Sequence, residues 1–339
     1  MKLRHWLGIL VSVLCLWWAL KGVHWHEVRV ALAAARLEFL LLAGLGSILV
    51  GVVLRALRWH VFLPRHEEVE SAELINATGV GLMVNNVLPA RIGEFVRAYV
   101  LARRTPIPLT TVIGSLFVER LFDAAVLVFF LVAGVLASDV PQRMVWLAWV
   151  GGAVLALLLL FEVLLLRFPE RIIAVIRRLT APLLPARWEA GLEGALLKFV
   201  DGLQPLRNPR RVLLAALFTF ALWGANGFLY YLGLLAFGLE RIGYGGAMLV
   251  QSVASLGVSV PSSPGFVGTF QAFVVEALAA FGVERDVAVG YSIAFHAAQY
   301  LPVTLYGFYL LGRVNLSWRE IGRSEKRVER ELADQAEVA

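Results

Sequence analysis

Charged residues and cysteine are both scarce in this chain of 339 residues. Only 17% of the residues are charged, against about 25% in a typical soluble protein, whereas 59% are hydrophobic. This balance excludes a soluble globular enzyme, a disordered chain and a nucleic-acid-binding module. The single cysteine, Cys15, has no partner for an internal disulfide, and no Cys/His spacing typical of zinc is present. We therefore expect neither a metal site nor a cofactor.

The sequence also lacks the motifs of the common catalytic classes. G-x-S-x-G, Walker, H-E-x-x-H and D-D-x-x-D patterns are absent, and no nucleophile is paired with a base at a recognisable spacing. We predict that the chain is not an enzyme and binds no ATP, so that any transport would be passive or ion-coupled.

Apolar runs occupy most of the chain. A helix that crosses a bilayer needs about 20 mostly apolar residues. We predict six spans, at residues 6–20, 39–54, 121–137, 144–166, 212–238 and 287–312. Polar residues instead of a small-x-small cleavage site follow the first run, which we interpret as an uncleaved helix. The predicted fold class is an all-α polytopic membrane protein.

Two stretches of mixed polarity, 71–118 and 245–281, contain no clean span but share a pattern. Both read P-x-x-x-G-x-F, at residues 89–95 and 264–270. Proline breaks a helix, and glycine allows a tight turn or close packing. We predict a re-entrant or broken-helix hairpin in each stretch, the alternative being two ordinary kinked helices. The residues predicted to shape the hairpins are Pro89, Gly93, Pro264, Gly265 and Gly268.

Lysine and arginine in the loops predict the orientation. Nine of them lie in loop 167–211, and the tail 313–339 is also rich in basic residues, so both are expected on the cytoplasmic side. The two halves, about 39–137 and 212–312, are then inverted relative to each other, with 144–166 as the connector. Inverted repeats with broken helices are typical of transporters. We predict one transmembrane domain over residues 1–312, an interfacial helix in the cytoplasmic loop, and a charged tail.

Charged residues cluster where charge is expensive. A charge at the bilayer centre costs roughly 2.5–3.5 kcal/mol, so these residues are expected to pair, to face a wet cavity or to lie at the interface. The planar fork of arginine suits phosphate. We predict that Arg91, Arg97 and Arg120 bind a lipid phosphate. The alternative is that the charges only pair with one another. The carboxylates expected to position the arginines, or to meet a cationic headgroup, are Glu94, Glu119 and Asp123. The other predicted substrate-binding residues are Arg55, Arg58, Asn85, Asn86, Gln271 and His296.

Four segments carry a family resemblance: LRALRWHVFL (54–63), NNVLPARIGEFVRAYVL (85–101), FVERLFD (117–123) and PSSPGFVGTFQ (261–271). They resemble the lysylphosphatidylglycerol synthase transmembrane-region family, a flippase-like membrane domain that occurs alone or fused to an aminoacyl-lipid synthase. The resemblance covers roughly residues 6–312. That family tends to have glycine and glutamate where this chain has Phe266 and Gln271.

The resemblance implies a multi-pass protein of the bacterial inner membrane that moves or handles lipids. Fused relatives flip aminoacylated phosphatidylglycerol, and stand-alone members are linked to polyprenyl-phosphate carriers, cardiolipin and hopanoids. We therefore expect a flippase for a phosphate-bearing lipid, with anionic or phosphate-bearing membrane lipids as partners and no nucleic acid. Two alternatives stay open: a scaffold for a lipid or envelope synthesis enzyme, and a headgroup enzyme that uses Glu119 and Asp123 as a carboxylate pair. A homo-oligomer or a lipid-synthesis partner also stays open.

Overall fold

The computed structural model describes residues 3–63, 69–88, 91–136, 208–259 and 263–314, with scattered positions between 140 and 171 and residue 320. Side chains are described from residue 10 onward. Pro89 lies outside the described residues, as do most of the predicted connector 144–166, loop 167–211 and tail 313–339.

Every regular element in the described part of the chain is a helix. Their bounds are α1 (Leu3–Leu20), α2 (Trp25–Ala34), α3 (Leu37–Ile48), α4 (Arg55–Phe62), α5 (Ser71–Val87), α6 (Gly93–Arg104), α7 (Leu109–Leu136), α8 (Pro209–Ala236), α9 (Gly243–Val258), α10 (Thr269–Ala279) and α11 (Arg285–Arg313). A π-helical segment, Leu49–Leu54, joins α3 to α4 in one rod, Leu37–Phe62, and 3-10 turns occupy Glu240–Ile242 and Pro264–Phe266. The all-helical fold class agrees with the prediction.

The same order of elements occurs twice. The rod, the hairpin α5–α6 and α7 form one series, and α8, the hairpin α9–α10 and α11 form the other. The backbone N–H of Arg36, at the start of the rod, donates to Ala236 O at the end of α8, with a separation of 2.8 Å. At the opposite end, Arg211 Nη1 donates to Leu63 O over 3.2 Å. The rod and α8 therefore run antiparallel to each other.

The turns of both hairpins contain glycine at the position that the shared P-x-x-x-G-x-F pattern predicts. Gly93 is the first residue of α6, and Gly268 directly precedes α10. Gly265 and Gly268 have φ angles of 63° and 95°, a region that favours glycine. Gly93 instead allows close packing, because a Cβ there would overlap the carbonyl oxygen of Gly81 on α5.

The outer surface of the bundle is apolar. Large side chains stand exposed along α1, the rod, α8 and α11, for example Leu45 at 68% and Leu305 at 67% exposure. Extended apolar surface of this kind is rare on soluble proteins and indicates burial in lipid. Two of the described helices, Leu37–Phe62 and Pro209–Ala236, are long and apolar enough to cross a membrane.

The predicted count of six spans stays a prediction. The helices α7 and α11 have 28 and 29 residues, which is long enough to cross a bilayer, but both carry polar side chains on their inner faces. The helix α7 begins at Leu109, well before the predicted start at residue 121, so Glu119 lies inside the helix. The predicted loop 21–38 contains the short helix α2.

Candidate functional site

A cavity of about 410 Å³ lies between the tips of the two hairpins and the facing sides of α4, α7, α8 and α11. The first tip comprises residues 91–93 and the second tip residues 263–268. The volume falls within the usual range of ligand pockets, about 300–1,000 Å³. Eight of the twelve predicted substrate-binding residues line the cavity: Arg55, Asn85, Asn86, Arg91, Glu94, Arg120, Asp123 and His296.

Glu119 is the centre of an ion-pair network behind the cavity. Its side chain is fully buried. Its Oε1 atom accepts hydrogen bonds from Arg97 Nη1 at 2.9 Å and from Arg120 Nη2 at 2.6 Å. Arg58 Nη2 lies 3.0 Å from the same oxygen. Three guanidinium groups therefore compensate one buried carboxylate, as a charge in a low-dielectric interior requires.

Asp123, one helical turn further along α7, holds a second set of partners. Arg58 Nη1 and Trp223 Nε1 both donate to Asp123 Oδ1, the indole over 2.7 Å. Arg120 Nη2 lies 3.2 Å and Arg55 Nη1 3.8 Å from Asp123 Oδ2. The i, i+4 spacing places both carboxylates on one face of α7, as the sequence predicts.

The network divides into a buried layer and a cavity-facing layer. Arg58 is fully buried, and Arg97 lies behind the cavity with its guanidinium carbon 3.9 Å from the centroid of the Trp59 ring. Neither residue lines the cavity, although Arg97 was predicted to bind phosphate directly. Arg55, Arg91 and Arg120 do line it. Among the described residues, a buried Nε without a hydrogen-bond partner occurs in all five arginines of the network, so position at the cavity is what distinguishes these three.

The two hairpin tips contact each other beside the cavity. Arg91 Nη2 donates to Val258 O at the end of α9, and the Arg91 guanidinium carbon lies 5.1 Å from the centroid of the Phe266 ring. The Tyr300 hydroxyl on α11 donates to Asn86 O over 3.0 Å. These contacts join the first half of the chain to the second on one side of the cavity.

Amide side chains hold each tip in place. Asn85 Oδ1 accepts from Gly93 N at 2.8 Å, and Gln271 Oε1 accepts from Gly268 N at 2.7 Å. The backbone N–H of Gly268 is an obligatory donor, so the oxygen of Gln271 faces it and the Gln271 nitrogen faces His296 Nδ1 at 3.0 Å. His296 Nδ1 is therefore an acceptor. Gln271 does not line the cavity but is connected to it through the second tip and through His296.

The sequence prediction omitted an aromatic and polar wall of the cavity. Its main members are Trp223, Tyr230, Asn226, Phe266, Phe270 and Tyr300. Asn226 Nδ2 donates to Gln251 Oε1 over 2.8 Å, which orients the amide. A polar residue inside an apolar span, as at 226, was the available signal. The aromatic side chains carried no such signal, because aromatic residues are common throughout membrane helices.

Comparison with known proteins places the chain among membrane proteins. Residues 5–307 match the family described as the lysylphosphatidylglycerol synthase TM region. A UPF0104 membrane protein of Pyrococcus horikoshii is 24% identical over 90% of this chain and 94% of its own length. A UPF0104 membrane protein of Methanocaldococcus jannaschii is also 24% identical, over 68% of this chain and 95% of its own length.

A longer relative is the glycosyltransferase AglD of Haloferax volcanii. It is 28% identical over 83% of this chain but only 50% of its own length. No solved structure matches the chain. The family and the relatives suggest a membrane protein in lipid or glycolipid processes. The match over nearly the whole chain confirms the predicted resemblance, and this protein belongs to the lysylphosphatidylglycerol synthase transmembrane-region family.

Proposed function

We propose that this protein moves a phosphate-bearing lipid across the membrane and that the cavity between the hairpin tips receives the headgroup. The observation that carries the proposal is the set of three arginines that line the cavity, Arg55, Arg91 and Arg120. Guanidinium groups are well suited to phosphate oxygens. A cationic cavity inside a bundle with an apolar outer surface fits an anionic headgroup on an apolar chain.

The order of the helices supports a transport mechanism. The rod and α8 begin the two series and run antiparallel, as expected for repeats of inverted topology. The tips of two broken hairpins meet beside the cavity. In transporters built this way, rearrangement of one repeat against the other exposes a fixed site to alternate sides. The helices α6 and α10 also begin at the tips, where the positive ends of their dipoles favour an anion.

The proposed location is the bacterial inner membrane, with loop 167–211 and tail 313–339 in the cytoplasm. The basic residues of these segments support that orientation through the positive-inside rule. Arg55, Arg91 and Arg120 are the proposed phosphate ligands. Arg58 and Arg97 are proposed to hold the two carboxylates that position Arg120.

A scaffold that presents lipid to a synthesis enzyme is the second candidate. It is favoured by the Haloferax volcanii relative, which is named a glycosyltransferase and of which this chain matches only half. A headgroup enzyme using Glu119 and Asp123 is not supported, because both carboxylates are ion-paired with arginines and Glu119 does not line the cavity.

The test is lipid scrambling in reconstituted vesicles. Protein would be placed in liposomes with phosphatidic acid that carries a fluorescent acyl chain, and dithionite would quench the outer leaflet. The variant Arg55→Gln, combined with Arg91→Gln, removes two cavity charges. Arg55 makes long ion pairs of 3.8 and 3.9 Å, and its guanidinium carbon lies 5.7 Å from the centroid of the Trp223 ring, so the fold should persist. Arg29→Gln on the exposed face of α2 is the matched control.

We expect full quenching with the wild type and the control, and about half quenching with the double variant, as in empty liposomes. Equal transport by all three proteins would refute the arginine site. Wild-type protein that leaves half of the lipid protected, yet copurifies with a glycosyltransferase in stoichiometric amount, would replace transport by the scaffold role.

A further inference from the structure

We propose that the headgroup taken by this cavity is a phosphate monoester, which carries two negative charges, and that phosphate diesters bind weakly. This inference rests on the proposed lipid-binding role of the same cavity. The shared chemistry, a terminal phosphate, belongs both to a phosphomonoester lipid and to free inorganic phosphate, and the experiment below separates the two.

The positive and negative charges of the network do not balance. The network contains five guanidinium groups and three carboxylates. Arg58 and Arg97, behind the cavity, balance the buried carboxylates Glu119 and Asp123. The remaining members, Arg55, Arg91, Arg120 and Glu94, line the cavity together with Asp123. The five arginines and three carboxylates together carry an excess of two positive charges.

A dianion neutralises this excess, and a monoanion does not. A phosphate monoester carries about −1.5 to −2 charges near neutral pH, whereas a diester such as phosphatidylglycerol carries a single negative charge. With a diester, one positive charge of this largely buried network would stay uncompensated, and a buried charge without a partner is unfavourable. A lysylated headgroup, which adds a cationic amine, would fit this balance still less well.

The three arginines that line the cavity come from three separate elements. Arg55 lies on α4, Arg91 on the first tip and Arg120 on α7. A monoester presents three terminal oxygens, one for each arginine. A diester has only two unesterified oxygens, which leaves one of the three arginines without a phosphate oxygen.

The second ionisation of a phosphate monoester has a pKa of about 6, so the binding of a monoester should depend on pH. The titratable and charged groups that line the cavity, from α4, the first tip, α6, α7, α8 and α11, are Arg55, Arg91, Glu94, Arg120, Asp123, Tyr230, His296 and Tyr300. Arginine and tyrosine do not ordinarily titrate between about pH 5 and 8. The pH dependence of binding can then come from the phosphate or from His296. A methylated headgroup distinguishes the two, because it lacks the second ionisation.

The experiment measures equilibrium binding of two radiolabelled lipids to the full-length protein in detergent, by scintillation proximity. Dioleoyl phosphatidic acid is the monoester, and dioleoyl phosphatidylmethanol is the matched diester that differs by one methyl group. Both are titrated against wild type, the Arg55→Gln/Arg91→Gln double variant and the Arg29→Gln control. Inorganic phosphate is added as a competitor to the phosphatidic acid.

We expect phosphatidic acid to bind at least about tenfold more tightly than phosphatidylmethanol at neutral pH. Its affinity should fall by up to about tenfold per pH unit below a pH of about 6, as the dianion is protonated. Phosphatidylmethanol should show no such fall. The double variant should lose the preference for the monoester, and the control should keep it.

Equal affinity for the two lipids, with loss of both in the double variant, would overturn the monoester preference and leave the proposed lipid-binding role intact. Binding of both lipids unchanged in the double variant would overturn both proposals. A similar pH dependence for the two lipids would assign the titration to His296 and not to the phosphate, so that pH dependence would no longer support a monoester. Competition by inorganic phosphate at the affinity of the lipid would identify free phosphate, not a lipid, as the ligand.

Discussion

The Arg91 guanidinium carbon lies 5.1 Å from the centroid of the Phe266 ring, and the two residues have φ angles of 55° and 61°. Left-handed backbone costs a residue with a side chain roughly 1–2 kcal/mol. One residue comes from each hairpin tip, so both tips adopt this geometry where the halves of the chain meet. Phe266 supplies the ring that Arg91 contacts.

Arg91→Lys should lower lipid transport by about tenfold while retaining the positive charge. Lysine lacks the planar guanidinium group of Arg91. That group donates to Val258 O and lies over the Phe266 ring, and its Nε has no hydrogen-bond partner among the described residues. Transport in liposomes measures the effect, with Arg29→Lys as the surface control. A fully active Arg91→Lys protein would show that charge alone suffices at this position.

Arg58→Met should destabilise the protein by about 3–5 kcal/mol, because it leaves two buried carboxylates short of a positive partner. Arg58 is fully buried between Glu119 and Asp123. Arg120→Gln removes a side chain that is 41% exposed to the cavity and should cost less stability but more transport. Thermal unfolding in detergent compares them, and equal losses of stability would contradict the division into two layers.

Gly93→Ala should destabilise the first hairpin by about 1–3 kcal/mol, the usual cost of overpacking. The added Cβ would overlap Gly81 O and the Asn85 side chain. Because Gly81 O is a backbone atom, it can move away only if α5 and α6 separate. Gly312→Ala near the end of α11 is the control, since a Cβ there meets open space and alanine favours the helix. The melting temperature should fall for the first variant and not for the second.

Gln271→Leu should speed hydrogen exchange at the Gly268 amide by at least tenfold, about the effect of losing one hydrogen bond worth ~1.4 kcal/mol. The variant removes the oxygen that accepts from Gly268 N. His296→Ala leaves that bond in place while removing the next link, so it should change the exchange far less. Mass spectrometry of peptides from the second tip makes the comparison. The same exchange in both variants would show that Gln271 does not hold this tip.

Glu94→Gln should increase the affinity of the cavity for an anion several-fold. Glu94 and Asp123 are the two carboxylates that line the cavity, and the closest ion pair of Glu94, with Arg120, spans 3.8 Å. Its removal raises the excess positive charge and frees Arg120 for the ligand. Binding of radiolabelled phosphatidic acid measures the change. Weaker binding would indicate that Glu94 positions Arg120 or contacts the headgroup itself.

The fold was predictable in the places where local chemistry is strong. The P-x-x-x-G-x-F pattern anticipated two hairpins with Gly93 and Gly268 at equivalent positions, since few residues other than glycine permit such turns and close contacts. The early start of α7 was missed. Its first turns are buried against other helices, and a helix enclosed by protein does not need a continuous apolar sequence.

Within the site, the clustering of charges was predictable but their division into layers was not. Arg55 and Arg58 are three residues apart on one helix, yet Arg55 lines the cavity and Arg58 is fully buried. Such a difference depends on where α7 and α8 lie around the rod. The aromatic wall was missed for the same reason, because Trp223 gains its role from the nearby Asp123.

The sequence alone determined that this is an all-helical membrane protein with two broken hairpins and a cluster of arginines between apolar segments. Those properties follow from composition, from the backbone limits of proline and glycine, and from the cost of charge in lipid, all of which act locally. Only the tertiary structure decided which arginines are enclosed behind the cavity and which line it. That division depends on distances between helices far apart in the chain, which no local pattern encodes.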